Sequence, residues 1–229
     1  YNSATGVVAL ASNTTGNGNT ANGTSALNAN VSGYSNVAVG FYSLYSNTTR
    51  SNLVAIGDSS LYNNGISASL PYHATWNTAV GSKSLFSNTT GAENTALGYN
   101  SLYANTSGEF NTAIGSRAML QNTSGFDNVA LGNEALLSNL SGHSNTAAGL
   151  QTLRNNSTGH SNTGVGDAAL FQNETGSKNT GIGVNALEEN TTRTSNVGLG
   201  IDVLTNNRHR SNIISDGHSY HQKKKPESA

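Results

Sequence analysis

A 17-residue period constrains this chain more than any other feature of its sequence. The segments Asn94-Thr95-Ala96-Leu97-Gly98, Asn111-Thr112-Ala113-Ile114-Gly115 and Asn128-Val129-Ala130-Leu131-Gly132 succeed one another at that spacing. Their glycine recurs at Gly6, Gly23, Gly40 and Gly57, then at Gly81, Gly98, Gly115, Gly132, Gly149, Gly166, Gly183, Gly200 and Gly217. A leucine column runs in the same register from Leu10 to Leu204, with Met119 as its one variant, and an asparagine column runs from Asn13 to Asn207. The consensus is N-T-A-(I/V/L)-G-x-x-(S/A)-L-x-x-N-T-(T/S)-G-x-x. About twelve copies are clear and a thirteenth decays after Gly217. The single break in the period is the 24-residue step from Gly57 to Gly81.

A unit this short excludes helical repeats, which need about 33 residues, and leucine-rich repeats of 20–29. It suits one coil of a β-solenoid with two short strands and two turns. The repeat therefore predicts an all-β fold, a parallel β-roll of about thirteen coils over residues 1–217, with a tail or neck over 218–229. At roughly 4.8 Å per coil the rod is about 60 Å long. The N-T-(T/S)-G segment reads as the turn that closes each coil, because Asn tolerates left-handed backbone and Gly supplies positive φ. Stacked turns align Asn with Asn along the axis, which predicts amide ladders. Such ladders satisfy polar groups without charge, in keeping with only 10% charged residues.

In N-T-A-I-G the side chains alternate between two faces, as a strand requires. The face carrying Thr112 and Ile114, joined by the Leu column, is the expected interior of the coil. The opposite face is small throughout, with Ala38, Ala55, Ala79, Ala96, Ala113, Ala130 and Ala147 followed by Gly164, Gly181 and Gly198. One explanation is that small residues merely keep the strand unobstructed. The sharper expectation is that the backbone of a second chain lies on this stripe. Each coil offers only two or three apolar side chains, and oligomerisation is a common remedy for a thin core. The alanine stripe is thus the expected interface of a homo-oligomer.

Composition narrows the function. With no Cys there is no disulfide framework, and a net charge of −1 gives little hold on nucleic acid. No apolar run approaches the ~18 residues of a membrane-spanning helix. No phosphate-binding glycine loop occurs, nothing resembles a nucleophile–His–acid set, and carboxylates are too sparse for a glycosidase pair. Neither catalysis nor a cofactor nor a metal site is expected. A start at Tyr1 without Met suggests a processed or excised piece.

The unit S-V-A-I-G followed by x-x-S is similar to Val37-Ala38-Val39-Gly40 with Ser43, and to Thr112-Ala113-Ile114-Gly115 with Ala118. In this the chain resembles the head repeats of trimeric autotransporter adhesins, the YadA-like left-handed parallel β-roll, from Asn2 to about Gly217. The repeat is longer than that family's usual unit by three residues, which fall in the N-T-T-G return. Similar N-T-A-I-G repeats look like those of phage and injection-system tail fibres. The resemblance implies a homotrimeric, extracellular fibre segment, on a cell surface or a virus-like particle, that binds a host or target surface protein or glycan.

Function is then expected where the period breaks. The insertion, within residues 65–76, holds the one Trp and one of the two prolines. Pro71, Tyr72, His73 and Trp76 form a candidate contact cluster of the type that dominates interfaces. The blander reading has Trp76 and Leu70 plugging a gap or packing against a neighbouring subunit. Tyr45, Tyr62, Phe86 and Tyr103, one coil apart, predict an aromatic ladder on the outer wall whose main use is structural. N-x-(S/T) sequons make Asn47, Asn88, Asn105 and Asn122 candidate glycosylation sites in a secreted chain. Arg50, Arg193 and Arg210 replace the turn glycine and read as solvated variants. His218, His221 and Lys223 to Lys225 read as a frayed end or a neck.

Two further functions compete with adhesion. One is a structural filament subunit that assembles end to end. The other is ice binding, since plant-type ice-binding rolls with an x-x-N-x-V-x-G pattern look somewhat like N-T-A-I-G. That activity needs an outward Thr array, and the Val residues interrupting the Thr112 column fit a buried column better.

Overall fold

A computed structural model describes residues 1–217. It contains thirteen three-residue strands, β1 (Ser3–Thr5) to β13 (Ile214–Asp216), paired in chain order in one parallel sheet. Each strand sits one coil above the last, with Thr95 beside Thr112, Ala96 beside Ala113 and Leu97 beside Ile114. The insertion does not disturb this register: β4 (Val54–Ile56) pairs with β5 (Thr78–Val80) as every other neighbour does. The chain is an all-β solenoid of about thirteen turns, as the period predicts. The expected tail over 218–229, with His218, His221 and the lysine run, lies outside the described residues.

Each coil has one strand, where the repeat suggested two. The second wall is hydrogen-bonded from coil to coil, as in Leu102 N–H to Ala118 O (3.0 Å) and Ala104 N–H to Leu120 O (3.0 Å). It is not extended, however, because left-handed residues alternate along it, for example Asn100 (φ 55°) and Leu102 (φ 50°). A left-handed Leu costs about 1–2 kcal/mol. Complete burial of the leucine column from Leu27 to Leu187 offsets this, at roughly 1.5–3 kcal/mol per side chain.

The two faces of the strand are the reverse of the expectation. Ala38, Ala55, Ala79, Ala96, Ala113, Ala130 and Ala147 have no accessible surface in the single chain. They line the inside of the roll with the leucine column, so no second chain can touch them, and the alanine stripe is not a subunit interface. The Thr112 and Ile114 columns point outward instead. The physical reason is width. A methyl group built on Gly181 would lie 3.2 Å from Leu170 Cγ, and one on Gly198 would lie 3.1 Å from Leu187 Cγ. The roll is filled by one leucine per coil, so the facing strand has room only for Ala or Gly. The stripe does mark a close approach, but the approaching group is the chain's own leucine.

Two asparagine ladders complete the interior. In the turn column, Asn122 Nδ2 donates to Asn105 Oδ1 (2.7 Å) and to Gly125 O (3.1 Å), and Asn139 repeats the pattern onto Asn122 (2.8 Å). In the strand column, Asn111 Nδ2 donates to Asn94 Oδ1 (3.1 Å) and Gly125 O (2.8 Å). Leu53 interrupts this second ladder, and its backbone N–H still donates to Asn36 Oδ1 (3.1 Å). The first ladder is the one the turn chemistry predicts.

Candidate functional site

With Asn and Ala committed to the interior, the strand's other positions must face solvent. From β3 (Val37–Val39) to β12 (Val197–Leu199) they form two parallel columns. One is Thr or Val and the other Val, Ile, Leu or a single Ala, and neither holds a charged residue. Leu97 is 45% and Ile182 42% exposed. Ten coils at about 4.8 Å make this flat stripe roughly 43 Å long. A contiguous apolar surface of that extent is unusual on a solitary soluble chain.

The insertion builds a second feature. Gly65, at φ +79°, turns the chain outward, and short turns follow through Ala68 N–H to Gly65 O (3.1 Å) and His73 N–H to Leu70 O (3.1 Å). Asn64 Nδ2 donates to Ala74 O (2.9 Å), so the asparagine ladder clamps the point where the loop rejoins the roll. From the coil below, the Arg50 guanidinium donates to Leu70 O (2.8 Å), Pro71 O (3.4 Å) and Ala68 O. Arg50 is thus an anchor for the loop and not the solvated variant expected. It replaces the turn glycine at the coil directly beneath the enlarged one.

Between loop and roll lies an open cleft of about 520 Å³. Pro71, Tyr72 and Trp76 line it together with Tyr34, Ser51 and Asn52 from the preceding coils. The structure thus brings together three of the four expected contact residues. His73 is turned back into the loop, where its Nδ1 accepts from Leu70 N–H (3.4 Å) and its ring meets Tyr72 edge-on. Leu70 is 42% exposed and plugs no gap. Sequence reasoning missed Tyr34 and Asn52, because only coil stacking puts them beside the loop. The departure of Arg50 from the glycine column was the one available signal.

The aromatic ladder forms as expected. Tyr45, Tyr62, Phe86 and Tyr103 stack with centroids 5.1, 5.2 and 5.3 Å apart and rings within 15° of parallel. All four are half-buried, which fits a structural stack. A second stack, Phe126–His143–His160, escaped the sequence reading, with centroids at 4.7 and 4.8 Å.

In the folded chain the sequon asparagines are not accessible as glycan acceptors. Asn47, Asn88, Asn105 and Asn122 are fully buried, and each Nδ2 is committed to a ladder partner and to a turn carbonyl. A sugar on that nitrogen would sit inside the roll.

Two small groups of charged side chains stand on the roll, around Glu134 and around Glu188 and Glu189. Glu134 accepts from Arg154 Nε (2.8 Å) and Gln151 Nε2 (3.0 Å) and faces Arg117 Nη1 at 3.0 Å. The Arg154 hydrogen bond, then that from Gln151, hold its carboxyl below the usual carboxylate range, against the opposing effect of burial. Burial pushes the Glu188 carboxyl up, helped by the nearby charges of Glu189 and Asp202. Among the described residues no group of three or more His, Asp or Glu could hold a metal ion, and no helix is long and apolar enough to cross a membrane.

No family model, no curated protein and no solved structure matches the chain.

Proposed function

We propose that this chain is a segment of a trimeric surface fibre, a non-enzymatic binding and spacer module displayed outside the cell or on a virus-like particle. The observation that carries the proposal is the uncharged stripe left open on ten successive coils. Three copies related by a closed rotation can turn these stripes inward and bury them together. Interfaces of this kind are richer in apolar side chains than ordinary surface. The interface would be formed by Val39, Ile56, Leu97, Ile114, Leu131 and their equivalents, not by the alanines. The resemblance to adhesin heads supports the same assembly, and the insertion cleft supplies a laterally placed contact site for a host or target surface.

Light scattering on a sizing column tests this. The expected mass is near 71 kDa, three times 23.6 kDa. Ile114→Lys with Leu131→Lys, which places two charges on the stripe, should give a folded monomer. A wild-type monomer would sink the trimer.

A second reading, ice binding, gains support from the outward direction of the Thr column. Thr78, Thr95, Thr112, Thr146, Thr163 and Thr180 stand one or more coil spacings apart on one face, with Val129 among them and Val54 and Val197 at the two ends of the run. The argument against an ice face, that this column is buried, does not hold. A folded monomer with thermal hysteresis in a nanolitre osmometer would move this reading to the front. End-to-end filament growth would appear as an open-ended mass distribution.

A further inference from the structure

We infer that the cleft between the insertion and the roll is a binding site for a neutral saccharide, an inference that rests on the fibre being a binding module. Three rings border it in close succession, and each is about half exposed: Trp76 at 52%, Tyr72 at 51% and Tyr34 at 50%. Exposed rings offer flat apolar area at low entropic cost, and the phenol oxygens add polar handles. The C–H face of a pyranose packs on such rings, while its hydroxyls need donors and acceptors at the rim. Asn52, which is exposed, supplies these from the roll, while the buried Ser51 hydroxyl accepts from Tyr34 N–H (3.0 Å) and fixes the backbone that carries the Tyr34 ring. The combination of a mostly apolar floor with a few fixed polar groups is that of small-molecule sites.

The charge distribution selects a neutral ligand. No carboxylate lines the cleft. Its one cation, Arg50, spends both terminal nitrogens on the carbonyls of Ala68, Leu70 and Pro71, so it positions the loop and is not free to meet an acid sugar. One coil beyond Trp76, Glu93 occupies the equivalent place, hydrogen-bonded through its backbone to Thr75 O (3.0 Å). Its carboxylate disfavours sialylated or sulfated ligands.

The site is also built to persist. Thr75 Oγ1 donates to Tyr72 O (2.6 Å), tying the ring-bearing loop to the roll. Arg50 holds the other side of the same loop. Most ordering cost is therefore met before a ligand arrives, which favours binding.

The test is binding of the full chain to immobilised neutral oligosaccharides ending in glucose, galactose, fucose or N-acetylglucosamine, with sialylated and sulfated forms of the same chains alongside. Wild-type protein is expected to retain at least one neutral sugar. Trp76→Ala and Tyr72→Ala should each weaken that binding tenfold or more. Arg50→Gly, which restores the repeat's own glycine and leaves the rings intact, should also weaken it. Circular dichroism and mass must stay at wild-type values for a variant to count; should Trp76→Ala misfold, Tyr72→Ala on the exposed loop carries the test. No neutral sugar bound, acidic sugars only, or binding indifferent to both ring deletions would overturn the inference. Binding of a protease-sensitive cell-surface protein without any sugar would overturn it while leaving the fibre intact. A monomer that still binds sugar through Trp76 would sink the trimer and leave the saccharide site standing.

Discussion

At the scale of single residues, the repeat glycine and the buried asparagine answer to different physics. Gly115 has φ +137°, and a methyl group on it would lie 2.6 Å from the Gly132 carbonyl carbon in the next coil. Gly115→Ala therefore combines a forbidden dihedral with a clash against backbone. It should cost about 3 kcal/mol or more, read as a lowered midpoint in denaturant titration. Titratable residues set the pH response. Glu134 has its pKa depressed in the fold, so its stabilisation is present above the unfolded value near 4.5 and is lost as the pH falls through the folded one. Glu134→Gln should lower stability at pH 7 by a few tenths to about 1 kcal/mol. The deficit should vanish in acid. Glu188 works in the opposite sense: its raised pKa makes the charged form a cost above that value, so Glu188→Gln should raise the melting temperature at pH 7 and have no effect well below pH 4.5. Melting curves of both variants across pH 3–7 check the two signs.

At the scale of elements, a three-residue strand has almost no stability of its own, and each coil depends on its neighbours as in other stacked repeats. Ladders of Asn122, Leu102 and Tyr103 with their equivalents carry that dependence along the axis. The insertion is the one element held by something else, namely Arg50 from below and the Asn64–Ala74 clamp at its exit. Arg50→Gly should free the loop without unfolding the roll. Limited proteolysis within residues 65–73 should then quicken tenfold or more while circular dichroism stays unchanged; equal cleavage rates would mean that Arg50 is no anchor.

At the scale of the whole molecule, the outward stripe is the feature with the largest consequence. If three copies bury it, folding is coupled to association, and the melting temperature must rise with protein concentration. A tenfold increase in concentration should raise it measurably for the wild type and leave it fixed for Ile114→Lys with Leu131→Lys. A wild-type melting temperature independent of concentration would argue that the stripe faces water, as an ice-binding face would.

The sequence by itself determined the solenoid. The unit length, the turn chemistry of Asn and Gly, and the spacing of Tyr45, Tyr62 and Phe86 are one-dimensional properties that stacking repeats in space. It also located the insertion and three of its exposed contact residues. Which face of the strand turns inward was not legible, because alternation fixes only that Thr112 and Ala113 point opposite ways. That choice depends on the width of the roll, which the leucine column fills, leaving room for a methyl group and nothing larger. The same width buried the sequon asparagines, whose motif reads the same on a surface turn and inside a ladder. Tyr34, Arg50 and Asn52 joined Tyr72 and Trp76 only because coils that are distant in sequence lie one above another, and proximity of that kind is created by the tertiary structure.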